Sequence, residues 1–148
     1  MLAERAVVKI LLVEDNTDDI VITKKALKEA KVVNELYIVQ DGQEALDFLQ
    51  HQRTYQEPAT SPRPGLILLD INLPKMNGLE VLTHIKQDRT LRRIPVIMLT
   101  ASKRDEDVLK SYDNGANSFL QKPVEFDVFV QLVKQIGFYW AIMNVGPP

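Results

Sequence analysis

The sequence predicts an α/β protein in which helices cover both faces of one doubly wound, five-stranded parallel sheet. Five short apolar runs alternate along the chain with five longer segments of helical period. The first run is apolar almost throughout rather than at every second position, which is typical of a strand buried on both faces. The 148 residues fit a single domain. Since crossovers between parallel strands are right-handed, we expect the strand order 2-1-3-4-5, with a switch point between strands one and three.

The first part of the chain supplies two strands and two helices. A strand is predicted at residues 7–13, followed by a helix capped by Asn16 or Thr17. The apolar stripe of this helix is expected to comprise Ile20, Ile22, Ala26, Leu27 and Ala30. A second strand is predicted at residues 36–39, and Asp41-Gly42 forms the turn into the second helix. That helix carries the apolar residues Ala45, Leu46, Phe48 and Leu49.

The rest of the chain repeats this alternation after a polar, proline-containing loop at residues 51–64. Strands are predicted at residues 66–70, 95–100 and 118–120. Pro74 and Gly78 bracket the loop before the third helix, whose apolar residues are Leu79, Val81, Leu82 and Ile85. The fourth helix is predicted at residues 105–113, with Val108, Leu109 and Tyr112 as its apolar residues. Pro123 is expected to open the last helix, which continues to about Met143.

Composition and charge exclude several classes of function. The chain has 18 basic and 20 acidic residues, so no basic excess favours direct binding to nucleic acid. It has no cysteine and two histidines, which excludes disulfides, cysteine nucleophiles and three-histidine zinc sites. No apolar run approaches the ~20 residues that span a bilayer, and no secretory signal is recognisable. We therefore expect a cytoplasmic protein without a membrane anchor, in which any metal is a hard ion held by oxygen.

Polar residues stand at the carboxyl ends of four predicted strands. Glu14 and Asp15 follow the first strand, and Asp70 ends the third. Thr100 ends the fourth strand, and Lys122 follows the fifth. Each alone has a plain explanation, such as a helix cap, a turn residue or a solvated lysine. Because the carboxyl ends of parallel strands meet at one edge of the sheet, these complementary groups should converge beside the switch point, which favours a functional site.

The chemistry of this predicted site follows from its charge. Two carboxylates about 4 Å apart repel by roughly 4 kcal/mol at an effective dielectric constant of ~20, so three of them either hold protons or recruit a cation. Mg²⁺ suits an all-oxygen site that keeps water and phosphate oxygens as ligands. With a lysine and a hydroxyl nearby, such a site is suited to phosphoryl transfer onto an aspartate. The acidic loop at residues 14–19 lacks a glycine-rich phosphate cradle, which argues against flavin and ATP binding.

Four motifs together make the sequence resemble the receiver domain of two-component response regulators. They are LVEDN at residues 12–16, LLDINLP at 68–74, IPVIMLTAS at 94–102 and KP at 122–123. The resemblance covers about residues 7–143 and implies the flavodoxin-like (βα)5 receiver fold. Because only 26 residues follow Lys122 and the last helix takes up most of them, we also expect a single receiver domain over residues 1–148 with no output domain, so that the protein would signal through its own surface.

The resemblance implies a role for each site residue. Asp70 would accept a phosphoryl group from a phosphohistidine of a sensor histidine kinase and become a 4-aspartylphosphate. Thr100 and Lys122 would bind the phosphoryl oxygens, and Phe119 falls at the position of an aromatic switch that moves with Thr100. The implied ligands of Mg²⁺ are Glu14, Asp15, Asp70 and the backbone carbonyl of Asn72.

Two positions depart from the common family pattern, and other segments indicate a subfamily. Glu14 stands where many members have aspartate, and Phe119 stands where tyrosine is commoner, so this switch residue has no hydroxyl. The proline-containing insert before Asp70, the loop at residues 72–75 and the segment IGFYW at 136–140 resemble single-domain regulators paired with bacterial phytochromes, especially cyanobacterial ones. The resemblance therefore implies a phytochrome-type kinase as the partner.

The last predicted helix carries two apolar stripes. At 100° per residue, the stripe expected to face the core contains Phe126, Phe129, Val130, Val133, Ile136 and Trp140. The second stripe contains Val128, Leu132, Tyr139 and Ile142, with Phe138 beside it. Because a one-sided surface helix should not expose this much apolar area, we expect a homodimer through the second stripe. The alternative is that the chain's own C-terminal residues cover it.

Two other functions remain open at this point. A pseudo-receiver would use the same fold as an interaction module without phosphorylation, although the acceptor, the threonine and the lysine are all present. An aspartate-nucleophile phosphohydrolase of the haloacid dehalogenase type would need a cap insertion and a second aspartate where this chain has Asn72. We expect no enzyme activity beyond slow self-dephosphorylation, because Asn72 and Ser102 supply no base that activates water.

Overall fold

A computed structural model describes residues 8–29, 34–110, 116 and 118–135, and within them the chain forms a five-stranded parallel sheet. The strands are β1 (Val8–Val13), β2 (Asn34–Val39), β3 (Leu66–Asp70), β4 (Val96–Thr100) and β5 (Ser118–Gln121). Their order in space is β2-β1-β3-β4-β5, so the predicted order is confirmed. The switch point lies between β1 and β3, where Leu12 pairs with Leu68.

Helices cover both faces of this sheet. They are α1 (Thr17–Glu29), α2 (Gly42–Gln50), α3 (Gly78–Gln87), α4 (Lys103–Lys110) and α5 (Phe126–Gln135). The loop predicted at residues 51–64 contains one short 3-10 turn at Arg53–Tyr55. None of the helices within the described ranges is long and apolar enough to cross a membrane.

The burial of the central strands explains why their sequences are apolar without alternation. Every residue of β3 and β4 is buried. In β1, Ile10 and Leu12 pack in a cluster with α1 and α5, whereas Leu11 and Val13 pack in a second cluster with α2 and α3. Each fully buried aliphatic side chain contributes roughly 1.5–3 kcal/mol to the stability of the fold. The two apolar layers therefore fix where the carboxyl ends of the central strands lie.

Short polar side chains cap the amino ends of α1, α2 and α3. Asn16, Asp41 and Asn77 each accept a hydrogen bond from the backbone amide three residues further along, at 2.9, 2.7 and 3.0 Å. Of the two predicted caps of α1, Asn16 and Thr17, the structure therefore has Asn16. The amino ends of α1, α2 and α3 follow strand ends, so they add partial positive charge to the carboxyl edge of the sheet.

Two apolar side chains that the sequence predicts to face the core are exposed instead. Ile22 is 40% exposed, because it lies off the stripe that α1 buries, which is Ile20, Thr23, Ala26 and Leu27. Phe126 is 43% exposed, while Val124 in the preceding loop is buried in the core. The start of the last helix also differs from the prediction. It begins at Phe126 rather than at Pro123, since residues 122–125 form the loop that leads from the sheet edge.

The fourth helix also begins earlier than predicted. Its first residue is Lys103 rather than Asp105, because the Ser102 hydroxyl oxygen accepts a hydrogen bond from the Asp105 amide at 3.2 Å and caps the helix. Several predicted positions lie outside the described part of the chain. They are residues 30, 111–113 and 136–143, together with the side chains of Val108, Leu109 and Val133.

Candidate functional site

The polar residues predicted at the strand ends lie together at the carboxyl edge of the sheet. Glu14, Asp70 and Thr100 are buried, whereas Asp15 is exposed at the surface of the same cluster. One carboxylate oxygen from each of Glu14, Asp15 and Asp70 lies within 4.8 Å of the others. Lys122 reaches the same point from the end of β5. The structure therefore brings all five predicted residues to the same edge of the sheet, where Glu14, Asp15, Asp70 and Lys122 form one cluster.

Backbone hydrogen bonds continue beyond the strands and hold these residues in position. The Glu14 amide donates to the Val39 carbonyl at 3.0 Å, and the Lys122 amide donates to the Thr100 carbonyl at 2.7 Å. The amide of Asn72 donates to Asp70 Oδ1 at 3.3 Å, which orients the Asp70 carboxylate. The site is thus anchored by the sheet itself and not by a mobile loop.

The Lys122 ammonium is held by three carboxylates. Its Nζ lies 3.1 Å from Glu14 Oε1, 3.1 Å from Asp70 Oδ2 and 2.9 Å from Asp19 Oδ2. Asp19 is a site residue that the sequence analysis missed. The sequence signal is an acidic first turn, Asp18 and Asp19, in a helix that begins at the carboxyl edge, and it does not tell the two residues apart. Four carboxylates, counting Asp15, therefore face one ammonium.

The electrostatics of the cluster favour a bound cation. Burial, together with the neighbouring Asp70 carboxylate, raises the pKa of Glu14 from 4.5 to about 7, against the opposing effect of Lys122. Burial alone lowers the pKa of Lys122, but the hydrogen bond to Asp19, the charge of Asp70 and the hydrogen bonds to Glu14 and Asp70 outweigh it and raise this pKa well above its usual range. The ammonium is therefore charged, and excess negative charge remains. An all-oxygen donor set of this kind fits a divalent metal ion.

Thr100 presents a hydroxyl that lacks a partner. Its Oγ1 is the buried side-chain polar atom that has no hydrogen bond within the described part of the chain. A buried hydroxyl without a partner costs about 1–3 kcal/mol, so its position at the site favours a ligand that bonds to it. Phe119 lies on the same face of the sheet, because β4 and β5 pair Met98 with Phe119 and Thr100 with Gln121. Phe119 is half-buried and packs against the cluster under α2 and α3.

Replacing Thr100 by valine is expected to raise the free energy of unfolding by about 1 kcal/mol in the absence of any phosphoryl donor. Valine has the same shape and removes the buried hydroxyl that lacks a partner. Urea unfolding measures this change. Ser61→Ala serves as the matched control, because the buried Ser61 hydroxyl lies 2.9 Å from the Tyr55 carbonyl and its loss should lower stability. A Thr100→Val protein less stable than wild type would mean that the hydroxyl has a partner.

The surface predicted for dimerisation is only partly described. Val128 is 46% exposed on α5, as expected for that surface. Leu132 is half-buried and packs against the core cluster, so it faces the core more than the sequence analysis predicted. Phe138, Tyr139 and Ile142 lie outside the described residues.

Comparison with known proteins identifies a family and a curated relative. The model of the response regulator receiver domain family matches residues 10–134. Response regulator Rcp1 from Synechocystis sp. is 44% identical over 131 residues, which cover 88% of this chain and 87% of Rcp1. The crystal structure of its Mn²⁺-bound form has a TM-score of 0.72 at 43% identity, covering 95% of this chain and 98% of that chain.

Two further solved structures are similar over most of their length. The bacteriophytochrome response regulator RtBRR has a TM-score of 0.85 at 44% identity, covering 97% of this chain and 86% of that chain. The phosphorylated cyanobacterial phytochrome response regulator RcpA has a TM-score of 0.72 at 44% identity, covering 91% of this chain and 94% of that chain. The family match spans every site residue from Glu14 to Lys122.

Proposed function

Because this chain belongs to the family of response regulator receiver domains, we propose that Asp70 is the residue that accepts the phosphoryl group from a sensor histidine kinase. The observation that carries this assignment is the buried Asp70 carboxylate, which lies in the acidic cluster 3.1 Å from the Lys122 ammonium. The Thr100 hydroxyl at the end of β4, which lacks a hydrogen-bond partner, supports the same assignment. An acceptor carboxylate, a cation site and two groups for phosphoryl oxygens are what transfer of a phosphoryl group requires.

In the proposed reaction an Asp70 carboxylate oxygen attacks the phosphorus of a phosphohistidine. The new P–O bond forms an acyl phosphate while the P–N bond breaks, and the imidazole nitrogen leaves with its electron pair. Lys122 and Thr100 bind the phosphoryl oxygens that carry negative charge in the transition state. We assign Glu14, Asp15, Asp70 and the backbone carbonyl of Asn72 as the residues that hold Mg²⁺. When bound, this ion neutralises charge on the phosphoryl oxygens and the carboxylates.

The proposed switch uses Thr100 and Phe119. A new acyl phosphate adds nearly two negative charges at the site, and the Thr100 hydroxyl moves toward them to form its missing hydrogen bond. Phe119, on the same face of the sheet and only half-buried, turns into the space that the threonine leaves. The surface around β4, α4 and β5 changes as a result, which is the signal. We expect the acyl phosphate to be lost slowly, because neither Asn72 nor Ser102 offers a carboxylate or base to activate water.

We propose a phytochrome-type histidine kinase as the donor. The support is that RtBRR and RcpA, both 44% identical to this chain, are described as response regulators of phytochromes. We propose that this exchange takes place in the cytoplasm. The balance of 18 basic and 20 acidic residues supports signalling through protein contacts and not through direct binding to nucleic acid.

Phosphorylation by a small donor tests the proposed function. Incubated with Mg²⁺ and acetyl phosphate, the protein is expected to gain one phosphoryl group by intact mass, and to gain none when EDTA is present. The reason is that the acidic cluster repels the anionic donor unless a cation neutralises it. No gain under any condition would contradict the proposal and would favour a pseudo-receiver that acts only as an interaction module.

We also propose that the chain forms a homodimer through the second apolar stripe of α5 and the residues that follow it. The exposed side chain of Val128 supports this surface, and the remainder rests on the sequence pattern of Phe138, Tyr139 and Ile142. A chain with Phe138→Ala and Tyr139→Ala together should have half the wild-type molar mass in light scattering. Val21→Ala is the control, since it removes an exposed apolar side chain from α1. An unchanged mass of the double variant would exclude this interface.

A further inference from the structure

We propose that Asp19 is a positioning residue that competes with the phosphoryl group for the Lys122 ammonium, and thereby sets how readily the site binds an anionic phosphoryl donor. This inference rests on the proposed function of Asp70. It concerns a carboxylate that lies beside the acceptor and metal-binding residues without belonging to them.

The contact between Asp19 and Lys122 is the shortest of the three that hold the ammonium. Asp19 Oδ2 lies 2.9 Å from Lys122 Nζ, compared with 3.1 Å for the oxygens of Glu14 and of Asp70. The amide of Asp19 donates to Asn16 Oδ1 at 2.9 Å, so the helix cap fixes the backbone from which this carboxylate extends. Its side chain is 26% exposed, whereas those of Glu14 and Asp70 are almost fully buried. Asp19 is therefore the most exposed of the three carboxylates that hold the ammonium, and we take its side of the cluster as the mouth of the site.

The hydrogen-bonding capacity of Lys122 makes Asp19 a competitor. An ammonium group has three N–H donors, and in this structure each of them has a carboxylate within hydrogen-bond distance. A phosphoryl oxygen can bind Lys122 only if one carboxylate gives up its N–H. Glu14 and Asp70 belong to the three-carboxylate cluster that fits a metal ion, whereas Asp19 is not a member of it. Asp19 is the one of the three partners outside that cluster, and in this proposal the phosphoryl group replaces its hydrogen bond.

The negative charge of Asp19 also opposes the binding of a phosphoryl donor. With Glu14, Asp15 and Asp70 it makes four carboxylates around one ammonium and the metal site. An incoming phosphoryl donor is itself an anion, so a carboxylate at the mouth opposes its binding. Removing the charge of Asp19 should thus strengthen donor binding and change the maximal rate of phosphoryl transfer little. A merely structural ion pair would affect the melting temperature and not donor binding.

The test measures the initial rate of phosphorylation against acetyl phosphate concentration at saturating Mg²⁺, by intact mass. For Asp19→Asn we expect the half-saturating donor concentration to fall by about three- to tenfold, with the maximal rate changed less than about twofold. Asp19→Glu keeps the carboxylate and should remain close to wild type. Asp18→Asn is the matched control, because it removes the same charge from the neighbouring exposed position of the same helix turn. It should leave both parameters unchanged.

The outcomes separate this inference from the proposed function. An unchanged or raised half-saturating concentration in Asp19→Asn, with wild type phosphorylated normally, would overturn the role of Asp19 alone. The same fall in Asp18→Asn would also overturn it, since the effect would then be one of general charge. A wild-type protein that gains no phosphoryl group would overturn the proposed function itself. Thermal melting checks that each variant is folded, and Asp19→Ser replaces Asp19→Asn in the same assay should the asparagine variant not fold.

Discussion

Asp70→Asn is expected to abolish the gain of a phosphoryl group from acetyl phosphate. Asparagine keeps the size of the side chain, but its amide supplies no anionic oxygen to attack phosphorus. The substitution also removes one negative charge from a buried cluster, so the protein should remain folded. Lys122 retains its contacts with Glu14 and Asp19 at 3.1 and 2.9 Å, which keeps the lysine in place. Intact mass with Mg²⁺ and donor is the measurement, and thermal melting accompanies it.

Asp127→Asn is the matched control for this experiment, because Asp127 is an exposed aspartate at the start of α5, away from the acidic cluster. It should gain one phosphoryl group as wild type does. A phosphoryl group that still appears on folded Asp70→Asn would mean that another residue is the acceptor. Peptide mapping of the phosphorylated protein would then identify it, with Asp15 as the first candidate because it is an exposed carboxylate of the cluster.

Gly78→Ala is expected to lower the free energy of unfolding by about 3 kcal/mol, at the upper end for overpacking. A Cβ on Gly78 would lie 2.2 Å from the carbonyl oxygen of Asp70 and 2.8 Å from the Cα of Ile71. Both contacts are with backbone, which cannot swing aside as a side chain can. The Gly78 amide also donates to the Ile71 carbonyl at 2.8 Å, so α3 cannot move away without losing that bond. The melting temperature should fall by about 10 °C.

The same substitution should slow phosphorylation in the fraction that is folded, because the strain falls on the backbone of the acceptor residue itself. Gln87→Ala, at the exposed end of the same helix, is the control and should change the stability by less than about 0.5 kcal/mol. A melting temperature of Gly78→Ala within about 2 °C of wild type would show that the loop after β3 relaxes at little cost.

The sheet and its carboxyl edge were predictable because they depend on features that a sequence displays directly. Runs such as residues 66–70 are apolar throughout, since both faces of the strand are covered. The right-handedness of crossovers between parallel strands then leaves few possible strand orders. In the observed order, Glu14, Asp70 and Lys122 lie close together at the carboxyl edge of the sheet. Asn16 was a predictable cap because its side chain is suited to the first free amides of a helix.

Other features depend on three-dimensional placement and were not predictable. Asp19 is one of several acids in the segment at residues 14–19, and only the position of Lys122 distinguishes it from Asp18. Ile22 and Phe126 were misplaced because apolar character alone does not fix the angle at which a helix meets the sheet. Val124 is buried in the core although it lies in the loop before α5, which the helical period of the sequence does not reveal.

The distance in sequence between Lys122 and its partners has a consequence for biosynthesis. Lys122 follows Asp70 by 52 residues and Glu14 by 108 residues. At ~5–20 residues per second, a ribosome adds the lysine roughly 3–10 s after the aspartate. Throughout that interval Glu14 and Asp70 have been made and Lys122 has not, so both carboxylates lack the ammonium that they contact in the folded protein. The last strand therefore brings the ammonium to these carboxylates at the same stage of synthesis at which it completes the sheet.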